Sequence, residues 1–323
     1  LQRFALGCLF YSTNQVATEL NPNPGSWTDN TNVWMSDEHE CDWPGVDCTT
    51  EEKVHSISLE HNGLSGKLPF ELGLLWEHLK VLELSFNDIT MEGFDWDVFL
   101  YLPNLQKLAM SANHVVSNSG VPDQLLACKK LRKIVLSDND ISGPLENGVL
   151  DNMGKLTHLE IEYNALTGYL NVLSKLPALE QIYLRHNALL GHLNFLKADM
   201  PKLLSIWLDG NSIDKKIPTE IGKLTNLRSI SIADDELTGT IPSEVGLLTN
   251  LQRLWLYRNE LTGSVPSELE NLTNLELLKL EENDLTGAIP SKVCETFNHS
   301  SYSKSAITAD CDKVSCECCT ECF

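Results

Sequence analysis

The amino-acid sequence predicts an α/β solenoid, a right-handed superhelix in which ten repeats stack between two disulfide caps. Two observations predict this fold class. The nine-residue pattern L-x-x-L-x-L-x-x-N recurs in register, with its last position at residues 62, 87, 113, 139, 164, 187, 211, 235, 259 and 283. The ten cysteines are concentrated near the two ends of the chain. Self-similarity at intervals of 23 to 26 residues is typical of a solenoid, whose terminal repeats need separate caps.

We divide the chain into an N-terminal cap at residues 1–53, ten repeats at 54–293 and a cysteine-rich C-terminal cap at 294–323. The apolar stretch Phe4–Tyr11 is short for a signal peptide, and we interpret it as a buried helix of the first cap. No apolar run approaches the roughly 18 residues of a membrane-spanning helix. A membrane anchor beyond Phe323 stays an open alternative.

Each repeat is expected to contribute one short strand to a parallel sheet on the concave side. In repeat nine, the alternation of Leu254, Trp255 and Leu256 predicts a strand whose leucines point inward. The asparagine that follows carries both donors and acceptors, so it can bond backbone groups of its own repeat and of the next. Repeat eight has Asp235 at this position, which keeps the acceptors and loses the donors. We therefore expect a weaker rung there.

A second signature follows the asparagine in the later repeats, for example N-E-L-T-G-S-V-P at residues 259–266. Over residues 54–293 the sequence resembles the plant-specific class of leucine-rich repeats, whose consensus is L-x-x-L-x-L-x-x-N-x-L-T/S-G-x-I-P. The segment C-D-W-P-G-V-D-C at residues 41–48 is similar to the N-terminal cap of plant receptor-kinase ectodomains. This resemblance implies a disulfide between Cys41 and Cys48. The cysteine-rich tail looks closer to algal members of the same class.

Six further cysteines crowd the C-terminal cap, at Cys294, Cys311, Cys316, Cys318, Cys319 and Cys322. We expect three disulfides among them, but fifteen pairings exist and the sequence cannot choose one. A thiolate cluster that holds a soft metal is the alternative, which an oxidising compartment disfavours, so we expect no metal and no cofactor. Cys8 and Cys128 are expected to be free and inert. Asn271 and Asn298 begin glycosylation sequons.

Repeats two and three depart from the consensus. They lack the G-x-I-P signature and have instead the segments 91–102 and 115–121. The first segment contains Phe94, Trp96 and Phe99, which we expect to pack on the convex side. We interpret these segments as a structural variation that makes the outer surface irregular.

The composition restricts the functions. The formal net charge is −21 and the sequence pI is about 4.7, so the surface repels phosphate backbones and anionic lipid headgroups. Nucleic acid and membrane surfaces are therefore poor partners. The nine histidines are scattered and the sequence has no motif of a hydrolase, zinc protease or nucleotide-binding loop, so we expect no enzyme activity. The cysteines and sequons favour a secreted or cell-surface location.

The candidate ligand-binding residues emerge when the repeats are aligned, because the side chain between the two inward leucines faces the concave side. In repeats five to nine, this position and its neighbours hold the aromatic residues and arginines that dominate binding hot spots. The predicted set is Tyr163, Tyr183, Arg185, Trp207, Asp209, Ser231, Arg253, Trp255, Tyr257 and Arg258. Trp207 and Trp255 are two strand spacings apart, or roughly 10 Å, which predicts an open slot above Ser231. The alternative is that the aromatic side chains only pack on their neighbours.

These patterns together predict an extracellular recognition module that binds a peptide or protein ligand, or a carbohydrate, on the concave face of a receptor-like system. A secreted inhibitor of an extracellular hydrolase is the first alternative. Plant polygalacturonase-inhibiting proteins are similar in having ten such repeats between disulfide caps. A structural or adhesive extracellular protein is the second alternative. Membrane association is expected only through an anchor outside this chain.

Overall fold

Short strands recur at the same place in each repeat and build the fold. The structure, a computed structural model, describes residues 1–14, 27, 33–146, 148–197, 199–298 and 306–323. The chain divides into two compact units, Leu1–Leu166 and Thr167–Phe323. Each unit contains a longer and a shorter sheet and a series of short 3-10 helices.

The first unit begins with the helix Gln2–Thr13. Its longer sheet has the spatial order Val46–Cys48, Val54–Ser58, Val81–Glu83, Lys107–Ala109, Lys133–Val135 and His158–Glu160. Every neighbouring pair is parallel except the first. The strands of its shorter sheet are Ser65–Gly66, Asp88–Met91, His114–Ser117 and Asp140–Pro144, and a further strand, Ala165–Thr167, includes the boundary between the units. The 3-10 helices are Glu40–Asp42, Phe70–Leu75, Gly93–Tyr101, Asp123–Ala127 and Leu150–Asn152.

The second unit repeats this plan. Its longer sheet is entirely parallel, in the order Gln181–Tyr183, Ser205–Trp207, Ser229–Ser231, Arg253–Trp255, Leu277–Lys279, Ala306–Ala309 and Glu321–Cys322. The shorter sheet has the order Leu190–Gly191, Ser212–Lys215, Glu236–Gly239, Glu260–Ser264, Asp284–Ala288 and Val314–Ser315. The 3-10 helices are Leu170–Lys175, Leu193–Lys197, Thr219–Lys223, Ser243–Leu247 and Ser267–Asn271, and the α-helix Ser291–Asn298 follows.

The middle residue of each repeat strand points into the core. Leu82 and Leu108 in the first unit, and Ile206 and Leu254 in the second, are at most 1% exposed. A three-residue strand cannot bury an apolar face alone, so each repeat is stabilised by the strands stacked on either side. Fully burying one such side chain contributes about 1.5–3 kcal/mol. The stacked parallel strands confirm the α/β solenoid.

An asparagine ladder joins successive repeats. Asn113 donates from Nδ2 to the carbonyl oxygens of Leu84, Met110 and Ser111 at 3.0–3.1 Å, and its Oδ1 accepts from the Ile89 amide at 2.9 Å. One side chain therefore satisfies buried backbone groups of its own repeat and of the preceding one, so the prediction that it bonds the next repeat was wrong in direction. Left unpaired, these groups would cost about 1–3 kcal/mol each.

The rung at Asp235 is weaker, as predicted. Oδ1 of Asp235 accepts from the amides of Asn211 and Ile213 at 3.2 and 2.9 Å. The other oxygen, Oδ2, is buried and has no hydrogen-bond partner in the part of the chain that the structure describes. It stands where an asparagine would place the Nδ2 donor. Burial raises the pKa of the Asp235 carboxyl to about 8, with a further upward contribution from the charge of Asp209.

The N-terminal cap is built around aromatic residues and one disulfide. The helix Gln2–Thr13 buries Leu6 and Leu9 and packs against the 3-10 helix Phe70–Leu75. Trp34 lies 5.0 Å from Trp43 between ring centroids, and both indoles are buried. The predicted helix is therefore present, but its burial was overstated. Phe4 and Tyr11, at the ends of the predicted stretch, are 59% and 68% exposed.

The insertion of repeat two forms the nine-residue 3-10 helix Gly93–Tyr101. Trp96 and Phe99 are buried, and the indole N–H of Trp96 donates to the carbonyl oxygen of Val116 at 2.9 Å. This contact anchors the insertion to the repeat that follows. The prediction was wrong for Phe94, which is 87% exposed. Trp96 and Phe99 are three residues apart and share one face of the 3-10 helix, whereas Phe94 lies on a different face.

Four disulfides staple the two ends. Cys41 pairs with Cys48, and in the C-terminal cap the pairs are Cys294–Cys318, Cys311–Cys322 and Cys316–Cys319. Terminal segments of this size bury too little apolar surface to hold themselves, so the covalent links constrain them. Cys8 and Cys128 are free; burial raises the pKa of the Cys128 thiol to about 12.

Non-reducing peptide mapping of the oxidised chain should recover these four pairs. We also expect iodoacetamide at neutral pH to leave Cys128 unmodified until the chain is denatured, because the thiol is buried and the thiolate is the reactive form. The denatured chain serves as the positive control for labelling. Recovery of a reduced C-terminal cap, or of native Cys128 as fast to react as a free thiol, would contradict the structure.

Candidate functional site

The last residues of successive strands form one row across the longer sheet of the second unit. In register, the row consists of Tyr183, Trp207, Ser231, Trp255 and Lys279. Each follows a buried middle residue, so it points away from the core. Tyr257 follows two residues after Trp255. We call Tyr183, Trp207, Trp255 and Tyr257 the aromatic cluster; all four side chains are half-buried.

The predicted open slot between the indoles is not present. The ring centroids of Trp207 and Trp255 are 6.2 Å apart, with 24° between the ring planes, and Ser231 is 1% exposed beneath them. Ser231 has no large side chain to hold the rings apart, so they lean across it and bury apolar area. The Trp207 N–H also donates to Ser229 Oγ at 2.8 Å, which fixes the ring over its neighbour strand.

Asp209 is a second correction, because its carboxylate is 5% exposed and lies beneath the cluster. Its Oδ1 accepts from the hydroxyl of Ser231 and from the amide of Ala233, the latter at 3.0 Å. Burial raises the pKa of Asp209, although these hydrogen bonds act in the opposite direction. Asp209 and Ser231 therefore support the aromatic cluster from below and do not face solvent.

Two cations lie against the cluster. The Arg185 guanidinium carbon is 4.4 Å from the centroid of the Trp207 ring, and Lys279 Nζ is 5.3 and 5.5 Å from the rings of Trp255 and Tyr257. Such contacts contribute about 0.5–1 kcal/mol at exposed sites. Lys279 was absent from the predicted set, although it occupies the same row position as the tryptophans. Its charge alone gave no sign that it would fold back over the neighbouring rings.

The remaining predicted residues of this unit differ in their exposure. Arg253 begins its strand and is half-buried, whereas Arg258 is exposed and pairs with Glu282 at 2.9 Å. Burial raises the pKa of the Tyr257 phenol, and the negative charges of Asp209 and Asp234 act in the same direction. A phenol that stays neutral can donate a hydrogen bond to a ligand.

Tyr163 belongs to the first unit. Its side chain is 50% exposed, and its backbone has a φ of 51°, in the left-handed region that a bulky residue rarely adopts. The structure thus brings together Tyr183, Arg185, Trp207, Trp255 and Tyr257 in one cluster of the second unit. Their role in ligand binding stays a prediction.

The two sequons have different positions. Asn271 ends the 3-10 helix Ser267–Asn271 with an exposed side chain, so an oligosaccharide could be attached there without displacing the core. The sequon at Asn298 extends through residues 299–300, which lie outside the described residues. Among the residues that the structure describes, no group of three histidine, cysteine or acidic side chains could hold a metal ion. Glycosylation stays a prediction at both sites.

Comparisons with known proteins show what the chain is similar to. Leucine-rich-repeat families match residues 77–94, 122–189 and 250–272. The serine/threonine-protein kinase BRI1-like 1 of Arabidopsis thaliana is 31% identical over 172 residues, which cover 53% of this chain and 14% of the kinase. The chain therefore spans only a small part of this relative.

Solved structures of plant receptors have the same fold. The ectodomain of the Arabidopsis thaliana receptor kinase GASSHO1/SCHENGEN3, in complex with Casparian strip integrity factor 2, superposes with a TM-score of 0.74 at 28% identity, covering 96% of this chain and 35% of the receptor chain. The plant peptide hormone receptor RGFR1, in complex with RGF2, gives a TM-score of 0.67 at 30% identity, with 81% and 44% covered. The chain is a leucine-rich-repeat solenoid, similar in sequence and fold to the ectodomains of plant receptor kinases.

Proposed function

We propose that the chain is an extracellular recognition module that binds a peptide or protein ligand on the aromatic cluster of its second unit. The observation that carries the proposal is the cluster itself, a group of half-buried rings that two cations contact. Aromatic residues and arginine supply large contact area and dominate binding hot spots. The similar receptors GASSHO1/SCHENGEN3 and RGFR1 were solved with ligands bound, which supports a binding role for this chain.

The dimensions of the row suit a short extended segment. From Tyr183 to Lys279 the row crosses four strand spacings, or about 19 Å. An extended peptide rises roughly 3.3 Å per residue, so about six residues cover the row. Arg185 and Lys279 could exchange their ring contacts for acidic side chains or a terminal carboxylate, whose paired hydrogen bonds are stronger.

The proposal includes a location outside the cell. Four disulfides persist only in an oxidising compartment, which favours secretion or display at the cell surface. No described helix has the length and apolar character of a membrane span. The membership of a receptor-like system is part of the proposal and rests on the similar receptors.

A capture experiment tests the function. The intact oxidised chain is immobilised, exposed to secreted peptides and proteins, and the retained components are identified by mass spectrometry. We expect one component to bind with a dissociation constant in the micromolar range or tighter. An excess of the same component in solution should reduce the amount that the immobilised chain retains. Reduced and denatured chain is the control for nonspecific retention. Retention of nothing by the folded chain would contradict the proposal, and retention of a hydrolase that loses activity would favour the inhibitor.

A further inference from the structure

A second surface, on the first unit, is apolar where the fold does not require it. Six large side chains on three neighbouring 3-10 helices, or directly after one of them, are 40% to 55% exposed: Phe70, Leu74, Trp76, Leu100, Tyr101 and Leu126. We call them the outer patch. The helices pack on one another in order, and the rings of Phe70 and Tyr101 meet at 4.7 Å in an edge-to-face contact. The outer patch therefore spans three helices that pack in succession, with a ring contact between the first two.

The repeats of the second unit show that the fold accepts polar residues here. Counted from the proline that precedes the helix, Phe70 stands where later repeats have Thr219, Ser243 and Ser267. Trp76 stands where the same repeats have Thr225, Thr249 and Thr273. These two aromatic side chains are thus not needed for stacking of the repeats. Exposed apolar groups that the fold does not need are typical of an interaction surface.

The area of the outer patch matches the needs of a stable interface. An aromatic side chain has about 150–250 Å² of surface, so three half-exposed rings offer roughly 300 Å². With the three leucines, the patch presents on the order of 450 Å². A standard interface buries about 800 Å² on each partner, and a little over half of it is apolar. The outer patch supplies this apolar part.

The charges along one edge of the patch are self-complementary. Glu77, Asn104 and Lys130 occupy the turns after the three helices in succession. The Asn104 amide donates to the carbonyl oxygen of Glu77 at 3.0 Å, and Lys130 Nζ donates to Asn104 Oδ1 at 2.6 Å. The edge therefore runs from an exposed acidic to an exposed basic side chain. A two-fold axis in the interface beside Asn104 sets Glu77 of one copy opposite Lys130 of the other.

We propose that the outer patch is a two-fold interface with a second copy of this chain. At a net charge of −21, two copies repel each other over most of their surface. The patch offers apolar contact and an edge that is acidic at one end and basic at the other, so identical surfaces can meet there with Glu77 opposite Lys130. The outer patch lies on the first unit, whereas the proposed ligand site lies on the second.

Sedimentation velocity of the intact oxidised chain tests the proposal. We expect a monomer–dimer equilibrium between about 1 and 100 µM, since interfaces of standard size reach at least micromolar affinity. The double variant Phe70→Ser, Trp76→Thr introduces residues that other repeats have at these positions, and should be monomeric. The matched control is Leu247→Ser, which removes an exposed leucine of the second unit. It should leave the dimer unchanged.

A charge exchange separates this arrangement from unspecific apolar association. Lys130→Glu should weaken the dimer about tenfold, and adding Glu77→Lys should restore it, because the swapped edge is again complementary. Thermal melting of each variant verifies that it folds. A wild-type chain that stays monomeric throughout the range overturns the proposal, as does a dimer that the double variant does not weaken.

Discussion

Asp235→Asn should stabilise this protein, and the gain in the free energy of unfolding should grow as the pH rises from about 4 to about 8. The carboxyl of Asp235 has an ordinary pKa of 3.8 in the unfolded chain and a pKa of about 8 in the fold. Between these values the folded chain holds a proton that the unfolded chain has lost. Unfolding then releases protons, so the free energy of unfolding falls with rising pH.

The expected size is several kcal/mol, since each pKa unit corresponds to about 1.4 kcal/mol. The destabilisation by the Asp235 carboxylate is absent below about pH 4, where this carboxyl is protonated in the folded and the unfolded chain. It is complete above about pH 8, where the carboxyl is ionised in both. Asparagine cannot ionise, and its Nδ2 replaces the partnerless oxygen with the donor that the other rungs have. The free energy of unfolding of the variant should therefore exceed that of the wild type most at alkaline pH and least at acidic pH.

Urea denaturation at pH values from 4 to 9 measures this difference. Other carboxyls also titrate; for example, the pKa of Glu83 is lowered, with Lys107 a main cause, and its contribution has the opposite sign. The difference in the free energy of unfolding between the variant and the wild type separates the contribution of Asp235 from those of the other carboxyls. Asp138→Asn, at an exposed aspartate just before another rung, is the matched control and gives the baseline for replacing an aspartate by an asparagine. If the difference in the free energy of unfolding between Asp235→Asn and the wild type does not grow with pH, the raised pKa of Asp235 is contradicted.

The repeat architecture could be predicted because each repeat has leucines and an asparagine at the same positions. The leucines fix which side of the strand is buried, and the asparagine at one position fixes the bond to the preceding repeat, as Asn113 shows. The departure at Asp235 was visible in the sequence for the same reason. A periodic pattern constrains the backbone conformation and the burial of each position, so both could be predicted from the repeats.

The geometry of the site could not be predicted in the same way. The row position of Trp207 and Trp255 follows from the repeat, but the direction of each indole depends on its neighbours. The ring of Trp207 follows a hydrogen bond to Ser229 in the adjacent strand and a contact with Arg185. These rotamers depend on residues of neighbouring repeats, so the periodic pattern of the sequence does not predict them. The burial of Asp209 under Ser231 and the rings has the same origin.

The pairing of the C-terminal cysteines was also beyond the sequence. Six cysteines within residues 294–322 lie close enough along the chain for many pairings. The helix Ser291–Asn298 and the strand Ala306–Ala309 set which thiols meet, so that Cys294 reaches Cys318 across the cap. A pairing of this kind follows from the path of the chain and not from cysteine spacing.

Replacing either tryptophan of the aromatic cluster should weaken ligand binding by about 2 kcal/mol or more, a factor of about 30 in the dissociation constant. Trp207→Ala removes the ring on which Tyr183 and Arg185 pack, at 5.0 and 4.4 Å, and exposes the buried hydroxyl of Ser231. Trp255→Ala removes the ring against Lys279. Because the two indoles contact each other, the double variant should lose less than the sum of the single losses.

Calorimetric titration with the component that the intact chain retains measures these losses. Both single variants should keep the wild-type unfolding transition to within a few degrees, since their rings are half-buried and outside the strand core. Trp207→Phe keeps a ring and loses the hydrogen bond to Ser229, so it should bind with intermediate affinity. Leu247→Ser, on a 3-10 helix of the same unit, is the control and should bind normally. If both alanine variants fold and retain full affinity, the aromatic cluster is not the ligand site, and the exposed Phe94 surface of the first unit becomes the place to test.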